Sequence, residues 1–298
     1  MQFKIEGIET SNCIKCESCI KICSVKLFSK RVKGMEKEII FEDPYGFCFH
    51  CGHCISVCPT NAIKYSSDES TFEFDEARNP AKLVDFDTLY KFIRARRSIR
   101  VFKEKDVEKE KIMKILETMR YAPSASNRQK REFVVITNKE LIKELSAETT
   151  NLIKKIQKLQ KIRYLIAPFI SRSLRRRLLS NKLRKSLELF FDRTKKGEDL
   201  IFFNAPCVII LHSSPYANMA PIDAGIAFTH GMFAAQSLGL GTCWIGYAQE
   251  YLVRNRKLRN KLGIPKHHQV YGVLAVGYPA INFLRAPPRN KVRWTLIE

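Results

Sequence analysis

The stretch Cys13-Ile-Lys-Cys16-Glu-Ser-Cys19-Ile-Lys-Ile-Cys23 recurs 35 positions later as Cys48-Phe-His-Cys51-Gly-His-Cys54-Ile-Ser-Val-Cys58-Pro59. Eight of the ten cysteines of this 298-residue chain lie in these two runs. Three cysteines at intervals of three present their sulfurs from one tight turn, and a fourth stands further off. That spacing is an iron–sulfur pattern in which the fourth cysteine of each run ligates the other cluster. The reading gives two [4Fe–4S] clusters. Cys13, Cys16, Cys19 and Cys58 hold one; Cys48, Cys51, Cys54 and Cys23 hold the other. Zinc would favour C-x2-C pairs set a dozen or more residues apart, and disulfides would need an oxidising compartment. Ser24 stands where the run usually carries proline.

Duplication of the run is the mark of a two-cluster ferredoxin-like domain, assigned to residues 1–80. This part has few large apolar side chains outside the cysteine turns, so metal binding must help to fold it. No apolar run reaches the 18 or so residues of a membrane span. The N-terminus shows no basic flank followed by an apolar stretch. A reduced, cytoplasmic setting is expected. The net charge of +22 is uneven: residues 1–80 carry 10 Lys/Arg against 12 acids, whereas residues 151–196 carry 15 against 2.

Beyond a polar linker around Asn79-Pro80, the sequence alternates helices and strands. Asp87 is placed as the cap of a helix from Thr88 to Arg96, and Asp106 as the cap of one bearing Ile112, Ile115, Leu116 and Met119. Phe133–Ile136, Val208–Leu211 and Val270–Val276 read as strands. Ile222–Leu238 reads as a deeply buried helix stopped by Gly239, and Arg254–Leu262 as another helix. The basic segment 151–196 reads as helical with a break at Pro168. Its Leu179, Leu183, Leu187 and Phe190 follow helical spacing.

Three separated motifs carry an identity: Arg96-Arg97-Ser98-Ile99-Arg100; Ala122-Pro123-Ser124-Ala125-Ser126-Asn127-Arg128-Gln129; and Asp223-Ala224-Gly225, leading to Gly239-Leu-Gly-Thr-Cys-Trp-Ile-Gly246. In this order they resemble the nitroreductase family of FMN-dependent oxidoreductases, from about residue 86 to the C-terminus. The resemblance implies an α+β domain over 86–298 with a central mixed sheet. Within it, 151–196 is a basic helical insertion. It also implies a homodimer with FMN at the subunit interface. Arg96, Arg97, Ser98 and Arg100 would meet the FMN phosphate, which carries about two negative charges and suits arginine forks. Pro123, Ser124, Asn127 and, on weaker grounds, Gln129 would contact FMN from the partner subunit. Trp244, Ile245 and Gly246 would run beside the flavin ring, and Arg289 would be a second phosphate arginine.

The expected activity follows. Electrons pass from a low-potential donor (ferredoxin, flavodoxin or NAD(P)H) through the clusters to FMN, then to a small electron-poor acceptor such as a nitroaromatic, quinone or activated alkene. The competing readings are an electron relay to a protein partner and a specialised reaction on the same fold, such as dehalogenation or ring dehydrogenation. No catalytic acid or base stands out. The basic segment reads first as an amphipathic insertion packed on the body. Docking of an acidic donor ranks next, then contact with an anionic membrane surface, and nucleic-acid binding ranks last.

Overall fold

The computed structural model describes residues 3–34, 36–215 and 219–298, with the side chains of Lys33 and Arg177 left aside. The chain divides into two compact units. The first comprises Met1–Val84 and the short segment Ser124–Arg128; the second comprises Asp85–Pro123 and Gln129–Glu298.

In the first unit, β1 (Lys4–Ile8) pairs antiparallel with β4 (Ile63–Ser66), and β2 (Phe28–Lys33) with β3 (Glu36–Phe41). Two one-turn helices, α1 (Ser18–Ile22) and α2 (His53–Val57), lie within the cysteine runs. The core is small: among the described residues Ile5, Phe28, Ile39, Cys54, Ala62 and Ile63 are its buried members, with Cys19, Cys23, Cys48 and Cys58 packed at its margin. So few apolar side chains cannot stabilise a unit of this size without further cross-links.

The second unit is built on a four-stranded sheet of order β5-β6-β8-β7, with β5 Glu132–Ile136, β6 Cys207–Ser213, β7 Gly241–Trp244 and β8 Gln269–Gly277. All three strand pairs are antiparallel. Among the described residues the parallel element is a bridge from Ser98 to Thr242 at the β7 edge. β6 is buried along its whole length because both faces of the sheet are covered. Val208 and Ile210 face one core, against α5 (Lys139–Lys161), α8 (Asn181–Lys195), α10 (Gly246–Arg254) and α11 (Arg256–Lys261). Cys207, Ile209 and Leu211 face the other, against α4 (Lys109–Arg120) and α9 (Ala220–Ser237). Period-two alternation thus divides one apolar run between two cores. Between α4 and α9 the approach is close: a Cβ at Gly231 would lie 2.0 Å from Met119 Cε.

Several boundaries differ from the sequence expectations. α3 is Phe86–Ala95 and its cap is Asp85, whose Oδ1 accepts from Thr88 N–H at 2.9 Å. Asp87 falls inside its first turn. α4 starts after Glu108, and Asp106 instead pairs with Lys139 at 3.1 Å. The helix expected over Arg254–Leu262 is α11, Arg256–Lys261; Arg254 instead ends α10, and Asn255 between them leaves helical geometry and caps α11 through Leu258 N–H at 2.9 Å. α9 is not buried on every side: Ile222 is exposed, and Ile226 and Phe233 are half-covered.

The basic segment is helical throughout most of its length, through the end of α5, α6 (Arg163–Ile166), α7 (Arg172–Leu178) and α8. A 3-10 turn containing Pro168 interrupts it. Leu187 and Phe191 are its buried anchors on α8, with Leu183 and Phe190 packed at the margin of the core. The inward stripe therefore continues from Leu187 to Phe191, one residue beyond the Phe190 expected from the spacing.

Candidate iron–sulfur and flavin sites

The two cysteine runs repeat in backbone as well as in sequence. Lys15 (φ 60°), Glu17 (φ 62°) and Lys26 (φ 57°) in the first run are matched by His50 (φ 49°), Gly52 (φ 74°) and Asn61 (φ 52°) in the second. Each lies 2, 4 or 13 positions after the first cysteine of its run. Left-handed residues are uncommon outside glycine, and three in register in each copy mark one loop built twice. Such turns close the backbone around a small concavity.

Glu17 and Gly52 start α1 and α2, so Cys19 and Cys54 sit at the second helical position of each. Cys23 and Cys58 end those helices with matching extended geometry. Their sulfurs accept from the backbone N–H four residues on, Leu27 at 3.4 Å and Ala62 at 3.2 Å. Cys13, Cys16, Cys19 and Cys58 line one hollow. Cys23, Cys48, Cys51 and Cys54 line another. These are the two cross-run quartets read from the spacing.

Burial pushes the thiols of Cys19 and Cys48 up, and that of Cys54 to about 11. The Ser18 hydroxyl beside Cys16 pulls that thiol down. A coordinating sulfur must be deprotonated, so most of the charge compensation has to come from a bound metal. Four thiols around each hollow suit an iron–sulfur cluster.

In the second unit, the arginine motif leaves α3 at Arg96 and runs beside β7. Ser98 bridges Thr242, and Ile99 N–H donates to Thr242 O at 2.9 Å. A Cβ at Gly241 would lie 2.3 Å from Ile99 Cγ1, so only glycine permits this approach. Burial raises the Cys243 thiol, while Arg100, Arg96 and the Ser98 hydroxyl act on it in the opposite sense. The motif thus carries Arg96, Ser98 and Arg100 along the β7 edge near Cys243. Two guanidiniums and a hydroxyl form a donor set suited to a phosphate.

Beyond β7, Ile245 N–H donates to Val273 O at 2.8 Å and Ile245 is buried. Trp244 packs edge-on against Phe228, with ring centroids 4.8 Å apart, and its Nε1–H donates to Gln249 Oε1 at 2.8 Å. Gly246 opens α10. Trp244, Ile245 and Gly246 are thus held in one fixed strand-to-helix turn.

The remaining expected residues are more dispersed. Arg97 lies over the Phe283 ring at 6.0 Å. Arg289 is exposed and bonds the carbonyl of neighbouring Pro288 at 3.3 Å. Pro123 and Gln129 belong to the second unit, whereas Ser124 and Asn127 group with the first. There Asn127 Nδ2 donates to the carbonyl of His50 at 2.6 Å. Arg131 was not singled out from sequence. Its guanidinium donates to Ala122 O at 2.8 Å, Pro123 O at 3.1 Å and Arg120 O at 3.3 Å. Burial lowers its pKa, and the charge of Asp223 opposes that shift.

Paired thiol cradles and an arginine-lined sheet edge define an iron–sulfur oxidoreductase. Residues 93–278 match the family model described as Nitroreductase family, and residues 12–62 match that of a 4Fe-4S dicluster domain. The chain belongs to the nitroreductase family. It is 28% identical over 195 residues to a protein from Archaeoglobus fulgidus provisionally named NADH dehydrogenase/NAD(P)H nitroreductase, covering 63% of this chain and 84% of that one. A 73-residue stretch is 30% identical to NAD(P)H-quinone oxidoreductase subunit I of Gloeobacter violaceus, covering 22% of this chain and 34% of that one. A crystal structure of a nitroreductase with bound FMN from Desulfitobacterium hafniense superposes with a TM-score of 0.50 at 25% identity, covering 70% of this chain and 97% of that one.

Proposed function

We propose that this chain is an iron–sulfur flavin reductase. It accepts electrons from an external low-potential donor at its N-terminal domain and delivers them to a small electron-poor acceptor, such as a nitroaromatic, quinone or activated alkene, at its nitroreductase domain. The observation that carries this reading is the pair of repeated thiol cradles in a chain of the nitroreductase family.

Iron–sulfur clusters supply one-electron transfer, and FMN exchanges electrons singly or as a hydride. The chain's own residues bind and position these groups. Cys13, Cys16, Cys19 and Cys58 would ligate one [4Fe–4S] cluster; Cys23, Cys48, Cys51 and Cys54 would ligate the second. Arg96, Ser98 and Arg100, gathered beside β7, would take the FMN phosphate, with Arg97 adjoining them and Arg289 reaching in from the tail. Trp244, Ile245 and Gly246 would border the ring. Pro123, Ser124, Asn127 and Gln129 would complete the site from a second subunit.

Exposed apolar side chains support a homodimer. Phe86, Leu89, Tyr90 and Ile93 leave α3 with its apolar side uncovered, and Ile222 on α9 is likewise exposed. The tail carries Phe283, Leu284, Trp294 and Ile297 in the open. Surfaces of this kind mark an association site. The basic segment, anchored by Leu187 and Phe191, serves as a packed insertion whose charged face is free to meet an acidic electron donor.

The test is an anaerobic screen of acceptors against reduced ferredoxin, NADH and NADPH, with the reconstituted protein. Turnover of a small acceptor with any of these donors supports an enzyme. Reduction without turnover of any small acceptor favours the relay reading. Purified protein with no absorbance near 450 nm and no extractable FMN contradicts both.

A further inference from the structure

His212 and His268 are 56 positions apart and show no ligand spacing in sequence, yet their Nδ1 atoms lie 2.9 Å apart. His212 is on β6, directly opposite Glu132 in the β5–β6 register. His268 stands just before β8, the other neighbour of β6. The β6–β8 register shifts between Leu211 and His212. Such an irregularity re-aims a side chain, here at the very residue that meets His268. Both histidines are buried, at 3% and 7% exposure, while the Glu132 carboxylate is open to solvent. Glu132 Oε1 is 3.9 Å from His268 Nδ1, and one ligand atom from each of the three residues falls within 4.8 Å of the others.

We propose that Glu132, His212 and His268 form a site for a divalent transition metal, zinc in the first instance, separate from the cysteine cradles. The two facing Nδ1 atoms cannot both carry a proton; with both rings neutral and protonated at Nε2, each Nδ1 offers a lone pair to a metal. Zinc binds histidine nitrogen at about 2.0–2.1 Å, so tetrahedral geometry sets two such nitrogens about 3.3 Å apart. The pair reaches that spacing by opening about 0.4 Å. The exposed carboxylate is free to swing inward as third ligand, and its solvent side leaves room for a water as fourth. His267 packs edge-on against His268 at 4.6 Å between centroids and limits ring rotation. The metal would join β5, β6 and the entry to β8 at one end of the sheet. Two nitrogens and a carboxylate suit zinc and exclude an iron–sulfur cluster.

The test uses the full chain with its cofactors, treated anaerobically with a chelator and titrated with Zn2+. Bound zinc is counted by elemental analysis, and its ligands are read by X-ray absorption at the zinc edge. The proposal expects one zinc per chain with nitrogen and oxygen neighbours only. Glu132→Gln, which removes the negative charge of the third ligand, should weaken zinc binding about tenfold or more, and the pair His212→Gln with His268→Gln should abolish it. Should the double variant fail to fold, the exposed Glu132→Gln variant still decides. Zinc with sulfur neighbours, zinc binding unaffected by Glu132→Gln, or no zinc bound would each overturn the proposal and leave a hydrogen-bonded histidine pair.

Discussion

Ile99 and Thr242 share one backbone hydrogen bond, N–H to O at 2.9 Å, and that bond holds the arginine motif against the β7 edge. The two residues stand 143 positions apart in sequence. The approach depends on Gly241, where a Cβ would meet Ile99 at 2.3 Å. Gly241→Val should therefore displace Ile99 and with it Ser98 and Arg100. Overpacking of this kind costs about 1–3 kcal/mol. Thermal denaturation together with extractable FMN should show both a lower midpoint and a weakened flavin site.

Arg100 and Arg96 act together on Cys243. Each charge-assisted hydrogen bond to a phosphate contributes about 1.5–3 kcal/mol, so Arg100→Ala should weaken FMN binding about 10- to 100-fold. The circular dichroism of the folded chain should not change. Unaltered affinity in a flavin titration would remove Arg100 from the phosphate site.

Arg131 satisfies three carbonyls at the end of α4 and the start of the following loop. Arg131→Met keeps much of the side-chain bulk but removes every donor. Arg131 is half-buried, so loss of its charged donor should cost about 1–2 kcal/mol, toward the lower end of the range for charged hydrogen bonds. Denaturant melts should show this loss, and proteolysis should cut sooner around residues 120–131.

Glu108 accepts from the Tyr278 hydroxyl, and that contact, with Lys105 and Lys111 beside it, holds its carboxyl down to about 2. Its folded pKa lies below the unfolded value. The contribution to stability is therefore full above the ordinary carboxylate pKa, near 4.5, and is lost as pH falls toward 2. The group is exposed, so the effect is small. Glu108→Gln should lower the melting temperature slightly at pH 7 and flatten its pH dependence between pH 4.5 and 2, where the two chains converge.

What sequence revealed depended on how local the signal was. The cysteine quartets followed from spacing, because the turns that aim them are set within each run. Strands β5, β6 and β8 were visible as apolar runs. Capping was misplaced where two acids compete: Asp85 precedes the helix and can reach Thr88 N–H, whereas Asp87 is already helical. α10 was missed because Gly246-Tyr-Ala-Gln begins it without a capping residue. The meeting of His212 with His268 has no sequence signal, since strand register alone creates it. The grip of Arg131 on Arg120, Ala122 and Pro123 is local in sequence but depends on the path of the intervening loop, which no residue pattern gives.

Electron entry through the N-terminal domain, as proposed, is tested most directly by the steady-state rate of acceptor reduction with reduced ferredoxin as donor, in the native chain and in Cys54→Ser, at matched FMN content. Cys54 is the buried thiol of its quartet. Loss of the ligand should reduce the rate about a hundredfold or more, equivalent to at least about 2.7 kcal/mol in the barrier, while bound FMN stays constant. An unchanged rate would contradict the account and place electron entry at the flavin domain.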